Sequence, residues 1–179
     1  MKYSVCDSSY LDRVQRLFTQ TFSDSEGETE GALIGELARE MMVTTNPEDI
    51  MVFVAEGDGH LAGCIMMTRM GFDESERRVY LLSPVAVRTD CQRKGVGQGL
   101  IRFALEVLRA QGVEFVITYG DPNYYGKVGF EPVSEAVVPA PRVLTYPEGW
   151  LALSLCEQAI PAISGRSSCV SALDKQVYW

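Results

Sequence analysis

The stretch Gln92 to Leu100, QRKGVGQGL, sets two full positive charges directly ahead of three glycines spaced by two, and an apolar helical run follows at once. Glycines at this density serve the backbone, letting it turn tightly or pass close to a ligand. Where a helix starts, its first N–H groups lack an internal partner and the positive end of the dipole stands behind them. The matching ligand is an anion. With glycine at 95 and 97, the backbone of Gly95, Val96, Gly97 and Gln98 forms a cradle for a pyrophosphate, and Arg93 and Lys94 add charge at its rim.

Spacing separates the kinds of glycine loop that hold phosphates. A P-loop needs Gly-x-x-x-x-Gly-Lys followed by Ser or Thr, which is absent. A dinucleotide fingerprint needs Gly-x-Gly-x-x-Gly tight against a strand, with an acidic residue about twenty positions on. Here the pattern is Gln92-x-x-Gly95-x-Gly97-x-Gly99, and TDCQRKG separates Arg88 from Val96. That loop is too long and too charged for a nicotinamide fingerprint.

The elements that must position this loop are legible on both sides of it. RVYLLSPVAVR (78–88) reads as a strand, with Pro84 marking a bulge or a place where the strand leaves its neighbour, because proline cannot donate to a ladder. Leu100, Ile101, Ala104, Leu105 and Leu108 make one apolar helical face, and Gly112 is a good residue to end it. EFVITYG (114–120) is a further strand, and Pro122 opens a short helical turn ending at Gly129-Phe130. Upstream, Leu11, Val14, Phe18 and Phe22 predict a helix capped at Ser9-x-x-Asp12. A second helix is predicted from Ser25-x-x-Glu28 to the break at Asn46-Pro47. MVFVAE (51–56), GDGH and LAGCIMMTRMGF (61–72) read as a hairpin. Val133–Val138 and Trp150–Cys156 read as paired strands, and the closing DKQVYW as an edge strand able to pair between subunits.

Taken together, VAVRTDCQRKGVGQGLIRFAL resembles the central motif of the GNAT superfamily of acetyl-CoA-dependent N-acetyltransferases. GDPNYYGKVGF is similar to that family's second signature, a tyrosine four residues before Gly-Phe, and its GDPxYYxxxGF form resembles a bacterial subgroup of predicted N-acetyltransferases. The resemblance implies an α/β (α+β) fold whose central mixed, mostly antiparallel sheet is splayed at the acetyl-CoA site and flanked by helices. It covers residues from about 3 to about 156 of a single 1–179 domain, leaving 157–179 as a C-terminal extension. It further implies acetyl-CoA as co-substrate, bound by the backbone of Val85, Ala86 and Val87 and by Gln92, Arg93, Lys94, Gly95, Val96, Gly97 and Gln98. No metal is implied.

Acyl transfer to an amine makes three demands. An amine of pKa about 10.4 must lose a proton at pH 7, which costs roughly 4.6 kcal/mol. The strand centre Tyr80-Leu81-Leu82-Ser83 carries no acid, so the base is open among Glu56, Glu76 and Ser83 with ordered water. The thioester carbonyl must be polarised, a task for a strand N–H near Val85. The leaving thiolate must be stabilised, and the resemblance implies Tyr125 as that acid. A phenol of pKa about 10 is a weaker acid than a thiol of about 8.5, so Tyr125 is expected mainly to hydrogen-bond the thiolate. Tyr124 is expected to pack.

Composition bounds the partners. The 179 residues carry a net charge of −8, which argues against nucleic acid, and no apolar stretch suits a membrane span or a leader, so a cytoplasmic chain is expected. Around the glycines the balance reverses, with Arg88, Arg93, Lys94, Arg102 and Arg109 outnumbering Asp90 and Glu106. Asp24 to Asp49 is strongly acidic, which fits a solvated helix face and also a cationic acceptor: a small-molecule amine or a protein amine. Cys6, Cys64, Cys91, Cys156 and Cys169 form neither a disulfide framework nor a zinc pattern and are expected mostly in the core, with Cys91 either structural or reactive. His60 belongs at a surface turn. A non-catalytic acyl-CoA-binding or sensing module would share the loop, and a homodimer is an open alternative.

Overall fold

The chain forms eight strands and four helices in a computed structural model describing residues 1–179. The strands are β1 (Lys2–Cys6), β2 (Ile50–Gly57), β3 (His60–Phe72), β4 (Ser75–Val87), β5 (Phe115–Tyr119), β6 (Glu131–Pro132), β7 (Trp150–Ser154) and β8 (Ser167–Ser168). The helices are α1 (Leu11–Glu26), α2 (Glu28–Thr44), α3 (Val96–Ala110) and α4 (Pro122–Tyr125). One sheet takes the strands in the order β1-β2-β3-β4-β5-β7-β6, with β8 on β3. The β4–β5 ladder is parallel, whereas β1–β2, β3–β8, β5–β7 and β6–β7 are antiparallel, giving the expected mixed, mostly antiparallel sheet. Two compact units divide the chain: Met1–Met67 with Pro84–Ala104, and Thr68–Ser83 with Leu105–Trp179.

In the first unit, α1 and α2 pack through small residues. A Cβ on Gly31 would lie 1.9 Å from Ser23 Oγ, and one on Gly35 would lie 1.9 Å from Thr19 Oγ1. Glycines four apart thus let two helices touch along one line, while Val14, Phe18, Leu37 and Met41 bury their side chains. The helix boundaries differ from the sequence expectation. Ser9 does not cap α1: Asp7 caps the 3₁₀ turn Ser8–Tyr10 ahead of it by accepting from Ser9 N–H at 2.9 Å, and α1 starts from Tyr10 with no side-chain cap. Ser25 lies inside α1, and the break falls at Gly27, whose φ of 100° suits glycine better than serine. The β2–β3 hairpin is as expected, turning on Asp58 and Gly59, both at positive φ, with His60 exposed beside them. β1, unread in the sequence, pairs Lys2–Cys6 with Glu56–Val52. Its Val5 is 48% exposed, so no clean alternation announces the strand.

In the second unit, α3 ends as predicted. Gly112 has φ 77°, Val113 N–H reaches Leu108 C=O at 3.0 Å and Gly112 N–H reaches Arg109 C=O at 3.0 Å, the bonds of a Schellman turn. β5 lies between β4 and β7, with Val79–Leu82 against Phe115–Thr118 on one side and Trp150–Ser154 on the other. Val133–Val138 is not a strand. On its other edge β7 pairs with Glu131–Pro132, and the later residues turn so that Val138 C=O accepts from Trp150 Nε1 at 2.9 Å. The closing residues are not an edge strand either. Gln176–Tyr178 is a single 3₁₀ turn, and Trp179 is buried, stacked on Tyr119 at 6.1 Å with its Nε1 donating to Leu173 C=O. A large aromatic side chain gains more from burial than a short edge gains from an outside partner.

Candidate active site

The glycine loop belongs to the first unit, and its geometry is fixed by hydrogen bonds before any ligand arrives. Arg88 chelates Asp90 through Nε at 2.6 Å and a terminal nitrogen at 3.0 Å, which draws the Asp90 carboxyl below its ordinary range. Thr89 Oγ1 donates to Asp24 Oδ2 at 2.6 Å, tying the loop to α1 and, with Gln20, lowering the Asp24 carboxyl. Gln92 Nε2 donates to Val87 C=O at 3.0 Å. The chain then passes through Arg93 at φ 59° and Gly95 at φ 78°. A non-glycine residue in the left-handed region is uncommon and costs about 1 kcal/mol or more, so the surrounding bonds hold Arg93 there.

The first helical bond of α3 runs from Gly99 N–H to Gly95 C=O at 2.9 Å, which makes Gly95 the N-cap. Gly95 has no side chain to satisfy the N–H groups of Val96, Gly97 and Gln98, and a Cβ there would meet nothing within 4 Å. The three glycines therefore have different tasks. Gly95 opens the turn and Gly97 lies buried in the first helical turn. Gly99 makes room for another side chain, since a Cβ on it would fall 2.2 Å from Tyr3 Oη. Arg93 and Lys94 are exposed on the rim.

On the strand before the loop, Arg88 N–H donates to Ala62 C=O at 2.9 Å, and Ala86 C=O lies 3.2 Å from the position of a Cβ on Gly63. Backbone groups alternate along a strand, so those of Val85 and Val87 face the edge opposite β3. One of them, the Val87 carbonyl, is engaged by Gln92. The β4–β5 ladder ends at Leu82 with Thr118, two residues before Pro84, while β4 continues to Val87.

Tyr125 belongs to the second unit. Asp121 caps α4 by accepting from Asn123 N–H at 2.9 Å, and Pro122 takes the first helical position, where its missing N–H costs nothing. Gly129, at φ 99°, returns the chain so that buried Phe130 meets the Tyr125 ring at 5.8 Å and 69°. The Tyr-x-x-x-Gly-Phe spacing is thus a ring clamp. Tyr124 closes a second side at 5.0 Å and 86°, in the packing role expected of it. A Cβ on Gly120 would lie 2.7 Å from Tyr125 Cε2, so only glycine leaves room for the ring there. Burial pushes the Tyr125 hydroxyl up to about 12, with Thr118 partly opposing.

Sequence reasoning missed Thr118, and it quoted Gly120 within the Tyr125 signature without a role. Thr118 is fully buried and donates to Leu82 C=O at 2.9 Å where the ladder ends. Thr118 carries no spacing signal. Of the base candidates, Glu56 is engaged by Arg13 at 2.9 Å and by the Tyr10 hydroxyl at 3.2 Å. Glu76 is exposed, and Ser83 is half-buried just past the ladder's end. The cysteines are less buried than expected. Only Cys64 is fully enclosed, and Cys156 is exposed with its thiol drawn down by Ser154.

The GNAT acetyltransferase family model matches residues 11–130. The chain belongs to that family of acetyl-transferring enzymes. A relative described as an uncharacterized N-acetyltransferase, YjhQ of Escherichia coli K12, is 27% identical over 172 residues, 93% of this chain and 91% of the relative. Among solved structures, the GNAT family N-acetyltransferase YhbS of Escherichia coli, in complex with CoA, aligns with a TM-score of 0.79 at 19% identity, over 97% of this chain and 92% of its own. A GNAT family acetyltransferase from Brucella melitensis, in complex with acetyl-CoA, aligns with a TM-score of 0.70 at 22% identity, over 97% of each chain. These likenesses carry the fold. No helix of the chain is long and apolar enough to cross a membrane.

Proposed function

We propose that the chain transfers the acetyl group of acetyl-CoA directly to a primary amine of a cationic acceptor. The observation that carries this reading is the start of α3, where Gly95 at φ 78° leaves the N–H groups of Val96, Gly97 and Gln98 ahead of the first helical bond. Those groups, with the Arg93 and Lys94 charges, suit the coenzyme's pyrophosphate. Val85 and Val87, whose backbone groups face away from β3, bind the pantetheine arm, with Ala86 between them. Gln92 acts through Val87, whose carbonyl it holds.

In the transfer the neutral amine's lone pair attacks the thioester carbon, forming a C–N bond. The tetrahedral adduct collapses with loss of the C–S bond, and the electron pair leaves on sulfur. Amide and thiolate result, and the proton lost by the attacking nitrogen departs through ordered water with Ser83 as its first relay. Tyr125, held protonated by a pKa near 12, donates a hydrogen bond to the thiolate. A phenol of pKa about 10 is already a weaker acid than a thiol of about 8.5, and burial raises Tyr125 further, so full proton transfer to the thiolate is uphill. That is steeper than an ordinary tyrosine would give, so the donated bond, not an acid step, is its contribution. A cationic acceptor is supported by the net charge of −8 and by Glu28 and Glu36, exposed on α2.

The test is release of free thiol from acetyl-CoA over a panel of amines, with Tyr125→Phe alongside. At least one amine should be acetylated, and the variant should lose about 10²-fold in kcat, a usual size for such a group. Equal kcat would remove Tyr125 from the mechanism. Coenzyme binding without turnover of any amine would make the chain an acyl-CoA-binding module instead.

A further inference from the structure

A cavity of about 370 Å³ opens at the end of β5 within the second unit, bounded by Tyr119, Gly120 and Asp121 on one side and by Tyr146, Glu148 and Gly149 on the other. Hydrogen bonds tie its two sides together. Tyr146 N–H donates to Tyr119 Oη at 2.7 Å, Gly120 N–H to Gly149 C=O at 2.9 Å, and Gly149 N–H to Tyr146 C=O at 2.8 Å. Behind the wall, Tyr119 stacks on Trp179 and meets Trp150 edge-on at 6.5 Å.

The chemistry of the lining has one sign. Asp121 and Glu148 are acids, no lysine, arginine or histidine faces the cavity, and Tyr146 offers a ring that is 65% exposed. Asp121 commits Oδ1 to capping α4, through Asn123 N–H and Nδ2, which leaves Oδ2 for a ligand. Carboxylates beside aromatic faces attract an organic cation and repel a carboxylate or phosphate. The volume lies at the small end of ligand pockets. Gly120, part of the wall, is also the residue against which the Tyr125 ring packs.

We propose that this cavity seats the acceptor, and that the acceptor is a small free amine with an aromatic or alicyclic body and no carboxylate. The proposal rests on the acetyl-transfer reading above and places the acceptor's cationic recognition on Asp121, Glu148 and Tyr146.

The probe pair is 2-phenylethylamine and phenylalanine, which share a body and an amine but differ by a carboxylate. Calorimetry on the protein saturated with CoA should find phenylethylamine bound about tenfold or more tightly. Asp121→Asn with Glu148→Gln should remove most of that preference, asparagine preserving the α4 cap, and Tyr146→Ala should weaken phenylethylamine severalfold. In thiol release, the double variant should raise the amine KM by a similar factor and leave the acetyl-CoA KM unchanged. Equal binding of the two probes, no binding of phenylethylamine, or indifference to the double variant would overturn the proposal. If amines are acetylated with an unchanged KM in the double variant, the cavity assignment falls and acetyl transfer stands. If phenylethylamine binds with the predicted selectivity and no amine is acetylated, both the acceptor role and the transfer reading fall.

Discussion

The loop ahead of α3 and the surroundings of Tyr125 are built on opposite plans. The loop presents backbone: N–H groups freed by a glycine cap, aimed by positive φ at Arg93 and Gly95 and braced by Thr89–Asp24 and Gln92–Val87. The Tyr125 region presents side chains, a phenol wedged between Gly120, Tyr124 and Phe130 and pushed up to about 12 by burial. A backbone site suits what every donor of one type shares, which in the proposed reading is a pyrophosphate. A side-chain site can discriminate among acceptors, and it can be rebuilt without disturbing the first.

Substitutions should separate the two plans, and the largest effect is at Tyr125. Tyr125→Phe should cost about 10²-fold in kcat with the acetyl-CoA KM unmoved; a rise in that KM with kcat intact would merge the two regions. Gly95→Val, which forces a β-branched residue into the left-handed region, should weaken CoA binding about tenfold. Wild-type affinity in that variant would mean that the helix start does not hold the donor. Gly99→Ala sharpens the contrast within the loop. Its new methyl meets Tyr3, so it should lower stability by about 1–3 kcal/mol in denaturant unfolding and leave CoA affinity unchanged once folded. Weakened binding in the folded protein would add Gly99 to the donor site.

The smallest effect is in alkaline stability. Burial raises the folded Tyr125 hydroxyl above its unfolded value near 10, so the unfolded state loses its proton first and stability falls as pH rises through 10 towards 12. At pH 11 this amounts to roughly 1 kcal/mol. Cys6, raised to about 12, and Cys169, raised to about 11, act in the same direction from pH 9. Tyr125→Phe should therefore lose less stability than wild type between pH 9 and 11, each referred to its own value at pH 7. Parallel curves would show that the Tyr125 hydroxyl titrates alike in both states.

What was legible in the sequence follows the same division. The glycine cap, the α3 face with its Gly112 stop, the Asp58-Gly59 hairpin and the Tyr-x-x-x-Gly-Phe spacing all rest on local backbone chemistry, which residue type encodes directly. Features made by distant partners were not legible. β1 forms because β2 offers an edge, and Gly99 is small because Tyr3 arrives from β1. Trp179 folds inward because Tyr119, Trp150 and Thr145 receive it, with Thr145 Oγ1 donating to its carbonyl oxygen at 2.6 Å. Val133–Val138 looked like a strand because valines favour strands, yet the indole of Trp150 claims the Val138 carbonyl and the segment turns instead. The acidic cavity joins Asp121 to Glu148 across a long stretch of chain with no spacing rule to connect them.

The division of labour is tested most directly by CoA calorimetry on Gly95→Val and Tyr125→Phe side by side, each with its acetyl-transfer rate on the same amine. The predicted result is a loss of affinity in Gly95→Val alone and a loss of kcat at saturating acetyl-CoA in Tyr125→Phe alone. Loss of CoA affinity in Tyr125→Phe, with Gly95→Val binding as wild type does, would contradict it.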